Sequence, residues 1–498
     1  MLKFPSALVA LACTTLAAHA DVTLPHLLAD HMVIQRDRPV HLWGRAADGE
    51  QVSATLGADT QTTMADDIGR WSLYLKPPAA GGPYEVTIKA HNAIVLHDVL
   101  VGDVWLASGQ SNMEFHLGQA DDAQREIAAA DYPNIRFLHV DRKASSYPLD
   151  DVITSGWARC SAEAAPNFSA VAYFFARDLH KDLKIPVGVI DTSWGGTPVA
   201  AFTPMSAIGK DPALMPIFSQ WAHFIDQDST TRLRIEKESR AYDVAAAQAK
   251  AAGKPVPDRR WHAFPDSWAP AGIYNGMIAP VTPFAIRGAI WYQGESDANA
   301  ERAPLYSRVF ETMIASWRQA WGVGDFPFLF VQLPNFTAGP HNAWPELREA
   351  QLQTLALKNT GMAITLDRGT PDNIHPTHKL DVGMRLAAAA RAIAYGESTE
   401  YSGPLFRQAV PEDRQIRIWF DHTAGALKAK NGELKTFEVS GADRKFAPAT
   451  ARIEGETIVV TSPEVPAPRY VRYAWSDNPE ATLYNAIDLP ASPFRSAE

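Results

Sequence analysis

The sequence predicts an α/β fold: a mostly parallel sheet with helices on its faces, flanked before and behind by β-sandwich-like regions. Three observations lead there. Near-continuous apolar runs at residues 101–107, 187–190, 289–292, 328–333 and 363–366 suit strands covered on both faces. Helical periodicity lies between them, in Val171, Phe174, Phe175, Leu179 and Leu183, and again in Leu305, Phe310, Met313, Ile314, Trp317 and Trp321. Outside this alternation of strand and helix, short apolar runs alternate with turn residues, as in stacked antiparallel sheets.

Taken in order, residues 1–20 read as a secretory signal. Met1-Leu2-Lys3 supplies the charge, residues 4–16 an apolar run, and Ala18-His19-Ala20 a small-residue cleavage site. The mature chain then begins near Asp21, exported to a periplasmic or extracellular compartment. Lipid attachment at Cys13 is an alternative that the preceding residues fit poorly. The run is short for a permanent membrane span, and no later stretch approaches ~20 apolar residues. Residues 21–98 form the first β region, with strands at 40–44, 52–57, 71–75 and 84–88. The α/β region occupies 99–204 and 271–398. An insertion at 205–270 splits it, with a polar helix at 232–250 and a loop at 254–260. Residues 399–498 form the second β region, with strands at 415–420, 437–439 and 457–460. The two β regions are either separate modules or halves of one sandwich.

Composition narrows the function classes. The hydrophobic share of 46% and the charged share of 20% suit a folded globular chain rather than a disordered one or a membrane bundle. A net charge of −10 argues against nucleic acid or an anionic membrane as partner, since no broad basic face is available. Of the two cysteines, Cys13 falls in the signal and leaves Cys160 alone, so the mature chain has no internal disulfide and depends on core burial.

Four segments carry groups suited to chemistry. Gly109-Gln110-Ser111-Asn112 follows a strand, where open α/β sheets place their sites. A lone Gly-x-Ser is more often a turn with a serine cap, and the other segments change that reading. Asp191-Thr192-Ser193-Trp194-Gly195-Gly196-Thr197 follows another strand, and its paired glycines let backbone amides approach a ligand. In Trp291-Tyr292-Gln293-Gly294-Glu295-Ser296-Asp297, the Gln293 amide is a candidate donor to an oxyanion and Glu295 a brace for the loop. A glycosidase role for Glu295 would need a second carboxylate at a set separation. Asp372-Asn373-Ile374-His375-Pro376 precedes a helix with Leu380, Met384 and Ala387, which leaves His375 in an accessible loop. A hydroxyl nucleophile needs a base within hydrogen-bond reach and a group that orients that base. His378 with Asp372 offers a weak metal-ligand spacing.

Together, Gly-Gln-Ser-Asn-Met at 109–113, Ser-Trp-Gly-Gly-Thr at 193–197, Trp-Tyr-Gln-Gly-Glu-Ser at 291–296 and Ile-His-Pro at 374–376 resemble the sialate O-acetylesterase family, within the GDSL-like or SGNH hydrolase superfamily. Arg472-Tyr473-Ala474-Trp475 and the segment 489–495 extend the resemblance over nearly the whole mature chain. It implies an SGNH-type three-layer α/β/α hydrolase domain with flanking β domains, acting on acetyl esters of sugars without a cofactor. By resemblance, Ser111 is the nucleophile and His375 the base. The oxyanion hole falls to the amides of Ser111 and Gly195 or Gly196, with the Gln293 side chain. Asn373 stands where relatives commonly have aspartate; Asp372, which matches the wider superfamily's Asp-x-x-His, is therefore the expected orienting carboxylate, and Asp367 is its substitute. Gln110, Asn112, Trp194 and Glu295 are the expected substrate-binding positions.

The substrate is then an acetylated sialic acid, with acetylated xylan or xyloglucan as the alternative. Trp194, Trp261, Trp268 and Trp291 are candidate sugar-stacking surfaces, and Arg259 and Arg260 candidate partners for a sialate carboxylate. A carbohydrate-binding protein with a decayed hydrolase domain is the non-enzymatic alternative, against which the intact serine, histidine and Gln293 argue. A lipase or thioesterase would want an apolar lid, and none is evident.

Overall fold

The computed structural model describes residues 21–226, 228–257, 265–340 and 342–496. The signal expected at 1–20 and the insertion residues Arg259, Arg260 and Trp261 lie outside these. The central sheet runs in the order Thr360–Ala363, Phe328–Val331, Gly288–Tyr292, Ala93–Gly109, Val187–Asp191, Tyr132–His139 and Trp157–Cys160. Neighbours are parallel up to Tyr132–His139, and Trp157–Cys160 closes that edge antiparallel. Every residue of Val187–Asp191, Gly288–Tyr292, Phe328–Val331 and Thr360–Ala363 is buried, as strands covered on both faces require.

Alternation along the strands separates the two covering layers. Trp105 meets Phe175 of the helix Ala170–Leu183 edge-on at 4.9 Å, and the helix Lys379–Tyr395 packs beside that one. Gly383 permits this contact, since a Cβ there would lie 2.5 Å from the Phe174 Cβ. On the opposite face Trp291 stacks on Phe310 and meets Trp317, both from the helix Ala303–Trp321. Trp291 is fully buried, and truncating such a side chain to alanine costs about 3–5 kcal/mol. This is the expected α/β/α arrangement, and it removes Trp291 from the candidate sugar-stacking surfaces.

The strand Ala93–Gly109 is 17 residues long and serves two sheets. Its first half pairs with Gly81–Lys89 and its middle with Val33–Gln35, while residues 103–107 lie beside Val187–Asp191. The expected boundary at 98/99 therefore falls inside one strand, next to a register irregularity where Asp98 adopts φ +54°. The second β region forms its own antiparallel sheets, one ordered Leu405–Glu412, Gln415–Asp421, Thr457–Thr461, Thr450–Glu454 and another built on Phe437–Ser440 and Tyr470–Tyr473. Arg348 ties that region to the α/β core. It is fully buried, and its guanidinium donates to the carbonyl oxygens of Leu333, Pro334, Ser476 and Asp477 at 2.6–2.9 Å.

Three local expectations differ. The last central strand is Thr360–Ala363, and 364–366, though buried, continue beyond the ladder. The helix Lys379–Tyr395 buries Ala387 and packs Leu380 against the core as expected but leaves Met384 exposed, and its inward face is completed by Val382, Leu386 and Ala390. The polar helix of the insertion spans Asp228–Ala251. Among the described residues no helix is long and apolar enough to cross a membrane. Cys160 is free and buried, and burial pushes its thiol pKa up to about 12.

Candidate active site

The site stands at the carboxyl ends of the central strands. Ser111 opens the short helix Ser111–Glu114 just beyond the strand Ala93–Gly109. Gly109 makes that turn: its φ is +130°, and a Cβ there would lie 2.2 Å from the Tyr292 carbonyl oxygen. The same carbonyl accepts from the Gln110 amide at 2.9 Å, which fixes the turn against the neighbouring strand. As the first helical residue, Ser111 has an amide with no acceptor inside the helix.

His375 arrives from the loop that precedes the helix Lys379–Tyr395, and its Nε2 lies 2.7 Å from Ser111 Oγ. Burial, reinforced by the positive charge of Lys379, holds the imidazole pKa below its ordinary value. A neutral ring with Nε2 unprotonated accepts from the serine hydroxyl, which is the geometry of a nucleophile and its base.

The expected carboxylate is elsewhere. Asp372 is exposed, and among the described residues no carboxylate hydrogen bonds to His375; the loop instead closes on itself through the His375 amide and Asn373 Oδ1 at 2.9 Å. Asp367 is engaged by Arg385 at 2.7 and 2.8 Å, which holds its carboxyl below the usual range despite burial. His378 pairs with Asp121 rather than Asp372, and among the described residues no cluster of metal-ligating side chains occurs.

The oxyanion expectations sort by what each amide already holds. Gly195 lies against Ser111, since a Cβ there would be 3.2 Å from the Ser111 Cβ. Its amide, however, donates to Glu114 Oε2 at 2.9 Å, and Glu114 also accepts from Arg142 Nε at 2.9 Å. Gly196 adopts φ +73°, and its carbonyl accepts from Trp268 Nε1 at 2.7 Å. Gln293 is fully buried, and its amide donates to Thr197 O at 3.0 Å and Asp297 Oδ2 at 2.6 Å. Both amide hydrogens are thus engaged, so Gln293 braces the 193–197 loop and has no donor left for an oxyanion.

The expected substrate-binding positions also turn inward for the most part. Gln110 is buried, with Oε1 facing the Ser296 amide at 3.3 Å. Asn112 is fully buried; it donates to Glu295 Oε1 at 2.5 Å and to Ile374 O at 2.9 Å. Trp194 is half-buried, and its amide donates to Gly109 O at 2.9 Å. Trp268 is half-buried beside the Gly196 carbonyl, with Arg302 over its ring at 4.2 Å. Sequence reasoning missed Glu114, Arg142 and Lys379. The signal for Glu114 was its place one helical turn after Ser111, which puts it on the same helix face as Ser111.

A family model described as carbohydrate esterase, sialic acid-specific acetylesterase, matches residues 261–392, the stretch that carries Gln293 and His375. The sialate O-acetylesterase of Rattus norvegicus is 30% identical over 520 residues, covering 93% of this chain and 92% of the relative. The chain belongs to the sialate O-acetylesterase family. The human sialate O-acetylesterase is 29% identical, with 93% of this chain and 90% of the relative covered. A solved carbohydrate acetylesterase from Xanthomonas citri superposes with a TM-score of 0.82 at 37% identity, covering 96% of this chain and all of that one. Both β regions therefore belong to what this chain shares with the family, since the matches extend far beyond the central sheet.

Proposed function

We propose that this member of the sialate O-acetylesterase family removes acetyl groups from sugars by a serine mechanism, with Ser111 as nucleophile and His375 as general base. The 2.7 Å contact between Ser111 Oγ and His375 Nε2 carries the reading. Ser111 Oγ attacks the acetyl carbonyl carbon while its proton passes to His375 Nε2. The oxyanion forms beside the Ser111 amide, with the Gly196 amide as the second donor. Collapse of the tetrahedral intermediate breaks the bond to the sugar oxygen, which takes the proton back from His375. Water, deprotonated by His375, then attacks the acetyl-serine and releases acetate.

The base works here without a carboxylate on Nδ1, so the reading is a serine–histidine pair rather than the triad expected through Asp372. Sialic acid acetates are the favoured substrate, in keeping with the named activity of the rat and human relatives. The 37% identity to a protein described more broadly as a carbohydrate acetylesterase supports a second reading, in which the acetylated sugar is not a sialic acid, with acetylated xylan and xyloglucan as the cases to test. Export by way of residues 1–20 is part of the proposal and is tested by locating the processed chain after cell fractionation. The deciding experiment measures acetate released from O-acetylated sialic acids, acetylated xylan and acetylated xyloglucan fragments by the wild type and Ser111→Ala. Release from one class, lost in Ser111→Ala, supports the reading; equal release by the variant overturns it.

A further inference from the structure

Behind the serine and histidine lies a buried polar cluster that the acetyl-transfer chemistry does not use. Asn112 follows the nucleophile directly. Its amide nitrogen donates to the carbonyl of Ile374, the residue before the base, at 2.9 Å, and to Glu295 Oε1 at 2.5 Å. Its amide oxygen accepts from Lys379 Nζ, in the first turn of the helix that follows the histidine loop. One side chain thus joins three strand-end loops: the nucleophile turn, the loop after Gly288–Tyr292 and the histidine loop. Asn112 and Lys379 are buried, and Glu295 Oε2 is a buried atom with no hydrogen-bond partner.

We propose that Lys379, Asn112 and Glu295 form a positioning device that fixes His375 on Ser111 and sets a cation behind the base. The proposal rests on the serine–histidine reading above. Two observations support it. First, the contacts are specific: Asn112 offers a donor to each of two acceptors and an acceptor to a third group, and neither aspartate nor leucine of similar volume reproduces that set. Second, an ammonium is costly to bury unless it is paired and hydrogen-bonded, and the groups that compensate this one are those that join the nucleophile turn to the histidine loop. Lys379 has Glu295 as its nearby carboxylate, and the rings of Phe115 at 4.7 Å and Tyr292 at 5.2 Å face its Nζ.

The charges around the base are few, so the effect of this cation is legible. His375 faces Ser111 from the nucleophile helix and Lys379 from its own following helix; Glu295, with Asp297 behind it, comes from the third loop. Burial brings the Lys379 ammonium down to about 7, and burial raises the Glu295 carboxyl. Lys379 in turn lowers the pKa of His375, which keeps the imidazole unprotonated and able to accept from Ser111. In a site with no carboxylate on Nδ1, hydrogen bonding to the Ile374 carbonyl and the cation together supply placement and protonation state.

The test uses the full-length enzyme with an aryl acetate. Lys379→Met removes the charge at nearly constant volume, Lys379→Arg keeps it, and the double variant Lys379→Met/Glu295→Gln avoids leaving a lone buried carboxylate if the single variant does not fold. The proposal expects kcat to fall about 10–100-fold with KM little changed in the methionine variants. It also expects the acid limb of the kcat/KM profile to move up by about half a pH unit or more, with Lys379→Arg restoring the wild-type limb. A wild-type acid limb in a folded methionine variant overturns the proposal, whatever the loss in kcat. Ser111→Ala is run alongside: its retention of activity would overturn the serine mechanism itself, a failure distinct from that of Lys379.

Discussion

Ser111 Oγ and His375 Nε2 meet at 2.7 Å although 264 residues separate them along the chain. The serine is set by the end of the central strand and the histidine by a loop at the sheet's far side, so the contact exists only when the whole α/β core is assembled. Either group alone is a weak catalyst; the hydroxyl needs the imidazole to take its proton. Ser111→Ala and His375→Ala are each expected to lower kcat on an aryl acetate by at least ~1000-fold, with thermal unfolding close to wild type. A loss in kcat accompanied by a collapse in stability would assign these residues to folding instead.

The pH dependence follows from the imidazole. Burial and Lys379 hold His375 below its ordinary value of 6.5, and the base acts when neutral. The acid limb of kcat/KM should therefore turn over below ~6.5. The linked effect on stability has a definite sign. The folded state binds fewer protons at His375 than the unfolded one, so this contribution is complete above the unfolded value and is lost as pH falls through the folded one. Urea unfolding from pH 7.5 to 5 should show part of that loss in the wild type and less in His375→Gln.

Asp372 is exposed and unbonded to His375, which separates this site from the Asp-x-x-His pattern of its sequence. Asp372→Asn should lower kcat/KM by less than ~10-fold, far from the ~10,000-fold effect of losing an orienting carboxylate in a triad. Steady-state kinetics on Asp372→Asn beside the wild type decides between a pair and a triad.

Gly109 has no room for a side chain: φ is +130°, and the Tyr292 carbonyl lies where a Cβ would go. Gly109→Ala should cost about 3 kcal/mol or more and displace Ser111, read as a lowered unfolding midpoint together with lost activity.

Arg348 makes a different kind of demand, because its buried guanidinium satisfies carbonyls from both the α/β core and the C-terminal region. Arg348→Met leaves the Leu333 and Ser476 carbonyls without their donor, while Pro334 O keeps Trp344 Nε1 and Asp477 O keeps the Phe336 amide, and should destabilise by about 2 kcal/mol or more in denaturant unfolding. Activity at low temperature should persist, since Arg348 touches neither Ser111 nor His375.

Much of this architecture was legible in the sequence where burial on both faces wrote continuous apolar runs, as at Val187–Asp191 and Gly288–Tyr292. The strand Tyr132–His139 and the edge strand Trp157–Cys160 beside it were not, because both carry arginines and solvent-facing residues that break the pattern. In the candidate site, the strand-end position of Ser111 and the loop position of His375 were readable, and the structure brings the two side chains together. The inward turn of Asn112 and Gln293 was not, because a polar side chain beside a nucleophile reads the same whether it meets substrate or braces a loop. Lys379 was hidden for the same reason: a lysine at the start of a helix looks like surface until the packing of Phe115 and Tyr292 around it is known.

The strand Ala93–Gly109 begins in one sheet and ends at the nucleophile turn. The N-terminal region is therefore not a detachable accessory. A chain shortened to start within that strand would lose the partners of its first half and expose an unpaired edge leading directly to Ser111. Such a seam also restricts ancestry: the two parts cannot be exchanged independently among relatives, because a graft must carry the strand whole, and with it the geometry of the turn.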